Sequence, residues 1–536
     1  MSGWSDAEKS TLSGYLRGNA ERHPDRVVHI CDDRPLTDGE LLSNSYAFAN
    51  GYSQLGVEAG TVVASLMENC LEHAYSWGAA SFLGAGHLPC NTFLRGEFLA
   101  HQLGRTEASV VVADEELAER VLEIRDKLPH LQHLVIRGSD SAAAALKQSD
   151  LVVSSMESLL SSESEKLLIQ RPARYDDLNT IIFTGGTTGP SKGVAISQNY
   201  MVSMQEATRR CNGWTSESTF YQPLPLFHIN AFGLTIVAPV LFGGQGVTAS
   251  RLSIGEFWND VRRYGATHLS LFGSLYLMLW NQPETDCDAD NPARVSTGYC
   301  PLEIHEAFER RFGITIYGSY ALSEAIMVAS TTPDDVPAPG WAGRPHPDFD
   351  VRLFDDEDQE VPVGQVGEIC VRPRKPHIMF SGYFNDPRGT LDAFSNLWFH
   401  TNDLGKMNEQ GYLAFVDRKA DYLRRRGENI STYEVEQVLL YYPGLLEVAV
   451  HGVPSEMGDE EVKACLRLAP DAGFDLRDFL DFCVTGMPYY AVPRFVEIMD
   501  DFPRSPVGRV QKFQLKARGV TSETLDRETI DYQVSK

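Results

Sequence analysis

The chain has 536 residues, more than one ordinary hydrophobic core accommodates, so two or more domains are expected. Its composition, 43% hydrophobic and 22% charged residues, is typical of a soluble globular protein and excludes a fibrous or disordered one. The 47 Lys and Arg against 73 Asp and Glu give a formal net charge of −26, which disfavours nonspecific binding to nucleic acid or anionic membranes. An anionic ligand would therefore need a local site of Lys, Arg, backbone N–H groups or a metal.

The cysteines and the terminus exclude further classes. The nine cysteines form no Cys-x-x-Cys pair, so neither a zinc site nor a disulfide framework is predicted. The first residues lack a basic-then-apolar signal pattern, and no run approaches the ~18 apolar residues of a membrane span. We therefore expect a cytoplasmic protein without a nucleic-acid partner or a membrane span. The sequence leaves the oligomeric state open between a monomer and a homodimer.

Apolar runs alternate with helical patterns through most of the first 420 residues. Strands are predicted at residues 62–66, 109–113, 178–183 and 313–317, and helices at 257–264 and 303–312. This alternation predicts α/β layers with largely parallel sheets. The Ser- and Ala-rich residues 139–164 are predicted to be surface loop and short helix.

The pattern changes after residue 339. Residues 349–354 and 367–372 predict a β-hairpin, and 411–416 a further strand, in a small β-barrel-like part. A compact α+β segment follows, with helices near 432–441 and 475–484 and strands at 447–453 and 462–468. We therefore place a domain boundary near residues 417–421, between a large N-terminal domain, 1–417, and a small C-terminal domain.

A loop rich in glycine and hydroxyl groups, TGGTTGPSKGV at residues 184–194, follows the strand at 178–183. Residues 184–193 are predicted to be neither strand nor helix because four glycines interrupt them. Glycines let backbone N–H groups converge on an anion, and the Thr and Ser hydroxyls and Lys192 add donors and positive charge. This composition favours a polyphosphate ligand. The spacing is not that of a P-loop, because Gly193 follows Lys192 where a hydroxyl is needed.

The loop resembles the signature Thr-Ser-Gly-Thr-Thr-Gly-x-Pro-Lys-Gly-Val of the adenylate-forming family, which includes acyl- and aryl-CoA synthetases, luciferases and peptide-synthetase adenylation domains. Gly185 stands for Ser and Ser191 for Pro. The resemblance implies an ATP site that holds the β- and γ-phosphates, with Lys192 as a catalytic cation. The implied nucleotide-binding residues of this loop are Thr184, Gly185, Gly186, Thr187, Thr188, Gly189, Ser191 and Lys192.

Two further motifs follow in the family's order. LPLFHIN at residues 224–230 resembles a Pro-x-Phe-His segment, which implies that His228 lies beside the substrate carboxylate with a catalytic role. YALSE at 320–324 resembles Tyr-Gly-x-Thr-Glu. By that resemblance Tyr320 packs against adenine, Ser323 donates to phosphate, and Glu324 is the catalytic ligand of Mg²⁺, a cation that prefers oxygen. Without the family, the Ser-Glu pair predicts an ordinary helix cap.

The acid and adenine pockets are implied less directly. TGYCPL at 297–302 occupies the segment that usually has Gly-Gly-Ala-Pro, so Tyr299 and Cys300 are expected at the nucleotide or acyl pocket, with Ser319 beside them. The acid pocket is expected around His228, Asn230, Phe272, Tyr299 and Ser319. The identity of the acid is not indicated.

The later motifs concern ribose, the hinge and coenzyme A. WFHTND at 398–403 resembles Trp-Phe-x-Thr-Gly-Asp, which implies that Asp403 accepts hydrogen bonds from ribose hydroxyls. DRKAD at 417–421 resembles the hinge Gly-Arg-x-Lys-Asp and implies that Arg418 is a second ribose contact, that residues 418–421 are the hinge and that the C-terminal domain, 422–536, is mobile. Ala420 occupies the pivot, where a small residue can absorb a backbone rotation.

A run of three arginines precedes Gly427, in LRRRGENIS at 423–431. The family places this glycine on a hairpin that enters the active site for thioester formation, so the arginines are expected to meet CoA phosphates. A solvated turn is the alternative. The sequence GENIS at residues 427–431 most resembles that of the carnitine/crotonobetaine-type CoA ligases.

The last motif departs from the family. PRSPVGRVQK at 503–512 has Arg509 where a catalytic lysine bridges the carboxylate and the α-phosphate. Arginine keeps the charge, but its planar fork is larger. The resemblance implies an AMP-forming acid–CoA ligase that uses ATP, Mg²⁺ and coenzyme A on a small carboxylic acid. An adenylate-former with a non-CoA acceptor, and a non-catalytic nucleotide- or acyl-CoA-binding protein favoured by Arg509 and Ala420, are the alternatives.

Overall fold

The computed structural model describes most of the chain. The described residues are 11–146, 151–168, 171, 173–184, 190–302, 304–335, 338–355, 357–418, 422–426, 428–455, 458–470, 472–503, 510 and 512–534. The strands in the first 330 residues are β1 (Val27–Cys31), β2 (Arg34–Thr37), β3 (Val62–Leu66), β4 (Gly86–Pro89), β5 (Val110–Asp114), β6 (His133–Arg137), β7 (Val152–Ser155), β8 (Leu178–Thr184), β9 (Lys192–Ser197), β10 (Thr219–Tyr221), β11 (Gln245–Thr248), β12 (His268–Ser270), β13 (Val295–Thr297), β14 (Thr315–Tyr317), β15 (Ser319–Leu322) and β16 (Ala325–Ser330).

The remaining strands follow in the same numbering. They are β17 (Arg344–Pro345), β18 (Phe349–Phe354), β19 (Val366–Pro373), β20 (Phe394–Ser395), β21 (Trp398–Met407), β22 (Leu413–Arg418), β23 (Tyr422–Arg425), β24 (Glu428–Ser431), β25 (Leu445–Pro454), β26 (Glu460–Leu468), β27 (Phe495–Ile498) and β28 (Leu525–Asp526).

Helices connect most of these strands. The α-helices are Leu12–Arg22, Asp38–Gln54, Glu72–Leu83, Gly96–Thr106, Glu115–Leu122, Asp140–Ala145, Met156–Leu160, Gln198–Asn212, Ile229–Phe232, Ala238–Phe242, Phe257–Arg263, Gly273–Trp280, His305–Phe312, Pro387–Asp392, Thr432–Leu439, Leu476–Gly486 and Lys512–Arg518. A π-helical turn, Gly233–Val237, joins two of them, and 3-10 turns lie at Arg125–Lys127 and Arg527–Ile530. Among the described residues, no helix combines the length and apolarity needed to cross a bilayer.

Two seven-stranded sheets form the body of the N-terminal region. Their strand orders are β7-β6-β5-β3-β4-β8-β9 and β14-β13-β12-β10-β11-β1-β2. Within each, all pairs are parallel except the last, β8–β9 and β1–β2. Every residue of β3 and β5 is buried, because helices cover both faces of a parallel sheet. The helices Asp38–Gln54 and Glu72–Leu83 contribute Phe48, Tyr52 and Trp77 to the largest core.

A curved antiparallel sheet and two small sheets complete the molecule. The antiparallel sheet has the order β18-β19-β21-β20, with β22 paired to β21, and β15-β16-β17 form a separate three-stranded sheet. After β22, the hairpin β23–β24 leads into a four-stranded sheet, β25-β26-β27-β28. A buried apolar cluster continues from the first sheet into this last region, through residues such as Leu103 and Val121 on one side and Leu439 and Phe479 on the other.

The sequence predicts this fold class correctly, and the predicted α/β layers, half-barrel sheet and small C-terminal α+β part are confirmed. Two details are wrong. Residues 152–155 form edge strand β7, which the loop prediction for 139–164 missed. The unstructured loop is also shorter than predicted, since Thr184 pairs with Lys192 and Phe183 with Gly193 across β8 and β9. Backbone pairing of the antiparallel edge overrides the interruption that glycine predicts. The hinge residues 419–421 lie outside the described residues, and the boundary there stays a prediction.

Candidate active site

A buried carboxylate, Glu324, lies at the centre of the site. Glu324 and Ser323 form the turn of the β15–β16 hairpin, in which Leu322 pairs with Ala325. Tyr200 holds this turn, because its hydroxyl donates to the Ser323 carbonyl (2.9 Å) and accepts from the Ile326 N–H (2.8 Å). Ser323 and Glu324 therefore form a hairpin turn. The helix cap that these two residues predict without the family is wrong.

Tyr383 links Glu324 to the loop lysine. Its hydroxyl donates to Glu324 Oε1 (2.9 Å), and its ring centroid lies 4.6 Å from Lys192 Nζ. Burial raises the pKa of Glu324, and the Tyr383 hydrogen bond and the Lys192 charge oppose that rise. The backbone around Tyr383 continues the β9 edge, since Phe384 N–H donates to the Gly193 carbonyl (2.7 Å). The site thus has an anion and a cation at the mouth of the glycine-rich loop.

The far end of that loop contacts the C-terminal region. Ser191 N–H donates to Glu434 Oε1 (2.6 Å), on the helix Thr432–Leu439. The Ser191 carbonyl in turn lies 2.8 Å from His101 Nε2. Burial raises the pKa of Glu434, and donation from Ser191 opposes it.

A second buried carboxylate, Asp403, lies on β21. Its Oδ2 accepts a hydrogen bond from the Tyr320 hydroxyl (2.7 Å), and Asp403 pairs with Arg418 of β22. Tyr320 is buried and its ring lies parallel to Phe415 at 6.3 Å, which makes one aromatic wall. Asp403 and Arg418, both predicted ribose contacts, are thus neighbours on adjacent strands.

The hairpin β23–β24 reaches His228. Glu428 Oε1 lies 3.2 Å from His228 Nε2, and its other oxygen accepts from Asn91 Nδ2 (3.4 Å). Asn91 also donates to the Tyr490 hydroxyl (3.0 Å), so the hairpin is held by both regions of the chain. The residue after the predicted Gly427 therefore lies beside the predicted carboxylate pocket.

The three arginines have different environments. Arg424 lies 5.6 Å from the ring centroid of Phe272, a predicted pocket residue. Arg426 is exposed. Arg425 is buried, ion-paired to Glu461 (2.6 Å) and hydrogen-bonded to the Tyr490 carbonyl (2.7 Å), and burial lowers its pKa to about 10. The expectation that all three meet CoA phosphates is wrong for Arg425, because its guanidinium is enclosed by the C-terminal region.

The other predicted residues are distributed around this centre. Asn230 Oδ1 accepts from Gln222 Nε2 (3.3 Å), Ser319 pairs with Ser330, and Thr184 ends β8. Tyr299 is 59% exposed, whereas Cys300 is buried in the core around Tyr276. Seven predicted residues lie outside the described part of the chain: Gly185, Gly186, Thr187, Thr188, Gly189, Gly427 and Arg509.

The sequence matches the family of AMP-binding enzymes over residues 16–384 and the C-terminal domain of AMP-binding enzymes over residues 434–509. The chain belongs to the AMP-binding enzymes. It is an adenylate-forming superfamily member of the acyl-CoA ligase type.

Relatives and solved structures align with most of the length of this AMP-binding enzyme. The crotonobetaine/carnitine–CoA ligases of Salmonella typhi and of Salmonella choleraesuis are each 30% identical over 479 residues, or 87% of this chain and 90% of theirs. Among solved structures, an o-succinylbenzoate CoA synthetase of Bacillus subtilis has a TM-score of 0.79 at 23% identity, over 94% of this chain and 98% of that one. An amide bond synthetase of Marinactinospora thermotolerans has a TM-score of 0.81 at 22% identity, over 95% and 99%. These likenesses show the fold.

Three residues of this AMP-binding enzyme's site were missed by sequence reasoning: Tyr383, Glu428 and Glu434. Tyr383 lies in SGYFNDP, where a tyrosine in a Gly-containing turn is the one available signal. Glu428 directly follows Gly427, so its place on the hairpin that the resemblance implies could have been predicted. Glu434 is one of many acidic residues in an acidic chain, and nothing local distinguishes it.

We expect Tyr383→Phe to lower the rate of pyrophosphate release about 2–10-fold, since one buried hydrogen bond is worth ~0.5–1.5 kcal/mol. The tyrosine hydroxyl holds the pKa of Glu324 down, so its removal raises that pKa further. The acidic limb of the pH–rate profile should therefore move to higher pH. Rates measured from pH 5 to 8 test this, with Tyr175→Phe as an exposed control. An unmoved acidic limb would contradict it.

Proposed function

We propose that this AMP-binding enzyme is an AMP-forming acid–CoA ligase. The observation that supports it is the convergence of Glu324, Tyr383 and Lys192 at the mouth of the glycine-rich loop. In the first half-reaction, a substrate carboxylate oxygen attacks the α-phosphorus of ATP, and pyrophosphate leaves. Lys192 balances negative charge on the phosphates, and Asp403 receives the ribose hydroxyls. Positioning and charge compensation provide most of the rate enhancement in such transfers.

Magnesium fits this site by its donor chemistry. Glu324 offers a buried carboxylate, and the ion prefers carboxylate and phosphate oxygens. Glu324 and the phosphates of ATP would hold it, and when bound it would neutralise phosphate charge. Tyr383 orients the carboxylate for that role through its hydroxyl.

Coenzyme A is proposed as the acceptor. In the second half-reaction the thiol sulfur bonds to the acyl carbon, the bond from that carbon to the AMP oxygen breaks, and AMP leaves. The support is the position of hairpin β23–β24, whose Glu428 meets His228. Arg424, an exposed residue whose guanidinium lies over Phe272, is proposed to contact a CoA phosphate.

The acid is proposed to be a small carboxylate, with trimethylammonium acids first because of the crotonobetaine/carnitine relatives. The exposed aromatic ring of Tyr299 would suit such a cation, since aromatic faces attract quaternary ammonium groups, whereas the Phe272 ring already faces the Arg424 guanidinium.

The test is release of pyrophosphate and AMP over a panel of betaine, aliphatic and aromatic acids, with and without CoA. We expect AMP release to require CoA and the matching acid. Arg509→Lys should remain within about tenfold of wild type, because both side chains carry the charge.

Other outcomes exclude the proposal in defined ways. AMP release that is independent of CoA but needs an amine would support a non-CoA acceptor. Activity in Arg509→Lys together with none in wild type would mean that the chain binds nucleotide but has lost adenylation.

A further inference from the structure

Three side chains of metal-binding type meet on the curved antiparallel sheet. Glu368 and Cys370 lie two positions apart on β19, so they share one face of the sheet, and His400 is the residue of β21 that pairs with Cys370. One ligand atom from each lies within 4.8 Å of the other two. In the part of the chain that the structure describes, this is the one group of three or more such side chains. Because its members come from two strands, no Cys-x-x-Cys pair indicates it in the sequence.

The distances within this cluster match those of a tetrahedral metal centre. His400 Nδ1 lies 3.2 Å from Glu368 Oε2 and 3.4 Å from Cys370 Sγ. Metal–ligand bonds of about 2.0–2.3 Å place neighbouring ligand atoms of a tetrahedron roughly 3.2–3.8 Å apart. An imidazole Nδ1 carries at most one hydrogen, which cannot point at the carboxylate and at the thiol together. A cation between the three atoms accepts a lone pair from each of them.

The charges of the cluster favour a divalent ion. Glu368 and Cys370 are buried, so a carboxylate and a thiolate there would leave two negative charges inside the protein. A divalent ion cancels both, and the occupied centre is neutral. Binding releases the Cys370 thiol proton to solvent, because the thiolate is the metal ligand. The side chain of His400 is 15% exposed, so the cluster is not sealed from solvent.

The second nitrogen of His400 supports the same assignment. Its Nε2 is buried, has no hydrogen-bond partner among the described residues and lies 3.7 Å from Asp358 Oδ1. A histidine that binds a metal through one nitrogen usually directs its other N–H toward a carboxylate or carbonyl oxygen. Asp358 is itself oriented, because its Oδ2 accepts from Ser395 Oγ (2.8 Å) and Asn396 Nδ2 (2.7 Å). Coordination at Nδ1 leaves the proton on Nε2, facing this carboxylate.

We propose that Glu368, Cys370 and His400 bind one zinc ion, with water as the fourth ligand. A donor set of oxygen, sulfur and nitrogen suits zinc, whereas magnesium and calcium prefer oxygen alone. The site shares no residue with the magnesium site proposed at Glu324, and it does not depend on the ligase activity.

Zinc at this position stabilises the part of β21 that carries Asp403. The register of β21 against β19 shifts between His400 and Leu404, so the strand bulges there. Asn402 in this bulge has a φ of 58° and donates its N–H to Glu368 Oε1 (3.0 Å). Glu368 thus joins the ion to the bulge through its two oxygens. Removal of zinc by a chelator should therefore accelerate amide hydrogen exchange in β21.

The test measures metal content and coordination in the full chain, without substrate and with any affinity tag removed. Protein produced with added zinc should contain about one zinc per chain by plasma mass spectrometry. Loaded with cobalt instead, wild type should show a thiolate-to-cobalt charge-transfer band. Cys370→Ser should lose that band and about 100-fold or more of the zinc affinity, since even an outer partner of a metal ligand contributes roughly 10–100-fold.

Two further variants serve as controls. Cys465 is also buried, with its Sγ 3.7 Å from His451 Nε2, but no third ligand joins this pair among the described residues. Cys465→Ser should therefore keep both the zinc and the cobalt band. Asp358→Asn removes the charge facing His400 at a backbone φ of 57°, which asparagine tolerates. It should lower zinc affinity about 10-fold and keep the band.

Three results would each overturn the site. One is a wild-type zinc content far below one per chain after zinc is added back. Another is a wild-type cobalt complex without the thiolate band, which needs no variant and so holds even if Cys370→Ser fails to fold. The third is equal zinc affinity in wild type, Cys370→Ser and Cys465→Ser.

Discussion

Glu324→Gln is expected to lower acid-dependent pyrophosphate release about 10²–10³-fold, the loss found when a preorganised electrostatic group is removed from an active site. The substitution keeps size and an oxygen that accepts from the Tyr383 hydroxyl, so only the charge disappears. Because nothing else in the turn changes, the melting temperature should stay close to that of wild type.

The pH profile gives the same prediction a second readout. Burial raises the pKa of Glu324, so the ionised form is present above that raised pKa and is lost as pH falls through it. The wild-type rate should therefore decline toward acid pH, and the residual rate of Glu324→Gln should lack that decline. Glu306→Gln, on an exposed helical face, is the matched control. A Gln variant that keeps a third of the rate would refute the role of this carboxylate.

Most of the fold could be predicted because its signals are local. Strands β3 and β18 match their predicted bounds, since continuous apolar runs and clean alternation leave one secondary structure. Strand β7 was missed because it is only four residues long and most of it is partly or fully exposed. Its sequence carries no clear strand pattern, and only its backbone pairing with β6 identifies it as a strand. The pairing of Thr184 with Lys192 was missed because it also depends on a neighbouring strand and not on the local sequence.

The candidate site was likewise predictable only where its signals are local. Glu324 and Asp403 were found from motifs, but their hydrogen-bond partners Tyr383 and Tyr320 come from distant segments that only the folded chain brings together. Arg425 shows the opposite error: a cationic run suggested a ligand, while Glu461, 36 positions away, neutralises one member of it. A motif predicts which residues react, and the tertiary structure decides what holds them.

A buried ion pair in the C-terminal sheet carries the largest stability prediction. Lys463 on β26 and Glu497 on β27 are both fully buried and ion-paired. Glu497 also accepts from Arg518 (2.6 Å) and from the Thr524 hydroxyl (3.2 Å). Burial acts to raise the pKa of Glu497, but the hydrogen bonds from Lys463 and Arg518 outweigh it and the pKa is lowered. The pair therefore stabilises the sheet above the ordinary carboxyl pKa, and this contribution is lost as pH falls through the lowered value.

Glu497→Gln should destabilise the C-terminal sheet by about 3–5 kcal/mol, because it leaves the Lys463 ammonium buried beside a neutral amide. Amide hydrogen exchange of β26 and β27 should accelerate on the order of 10²–10³-fold, while β3 and β5 of the N-terminal sheet are unaffected. Glu447→Gln is the matched control, since Glu447 pairs with Arg467 across β25 and β26 but both side chains are partly exposed, and less than about 1 kcal/mol is expected. The acid sensitivity of exchange should also flatten in Glu497→Gln. Equal acceleration in the two variants would show that burial of the pair does not determine the stability of this sheet.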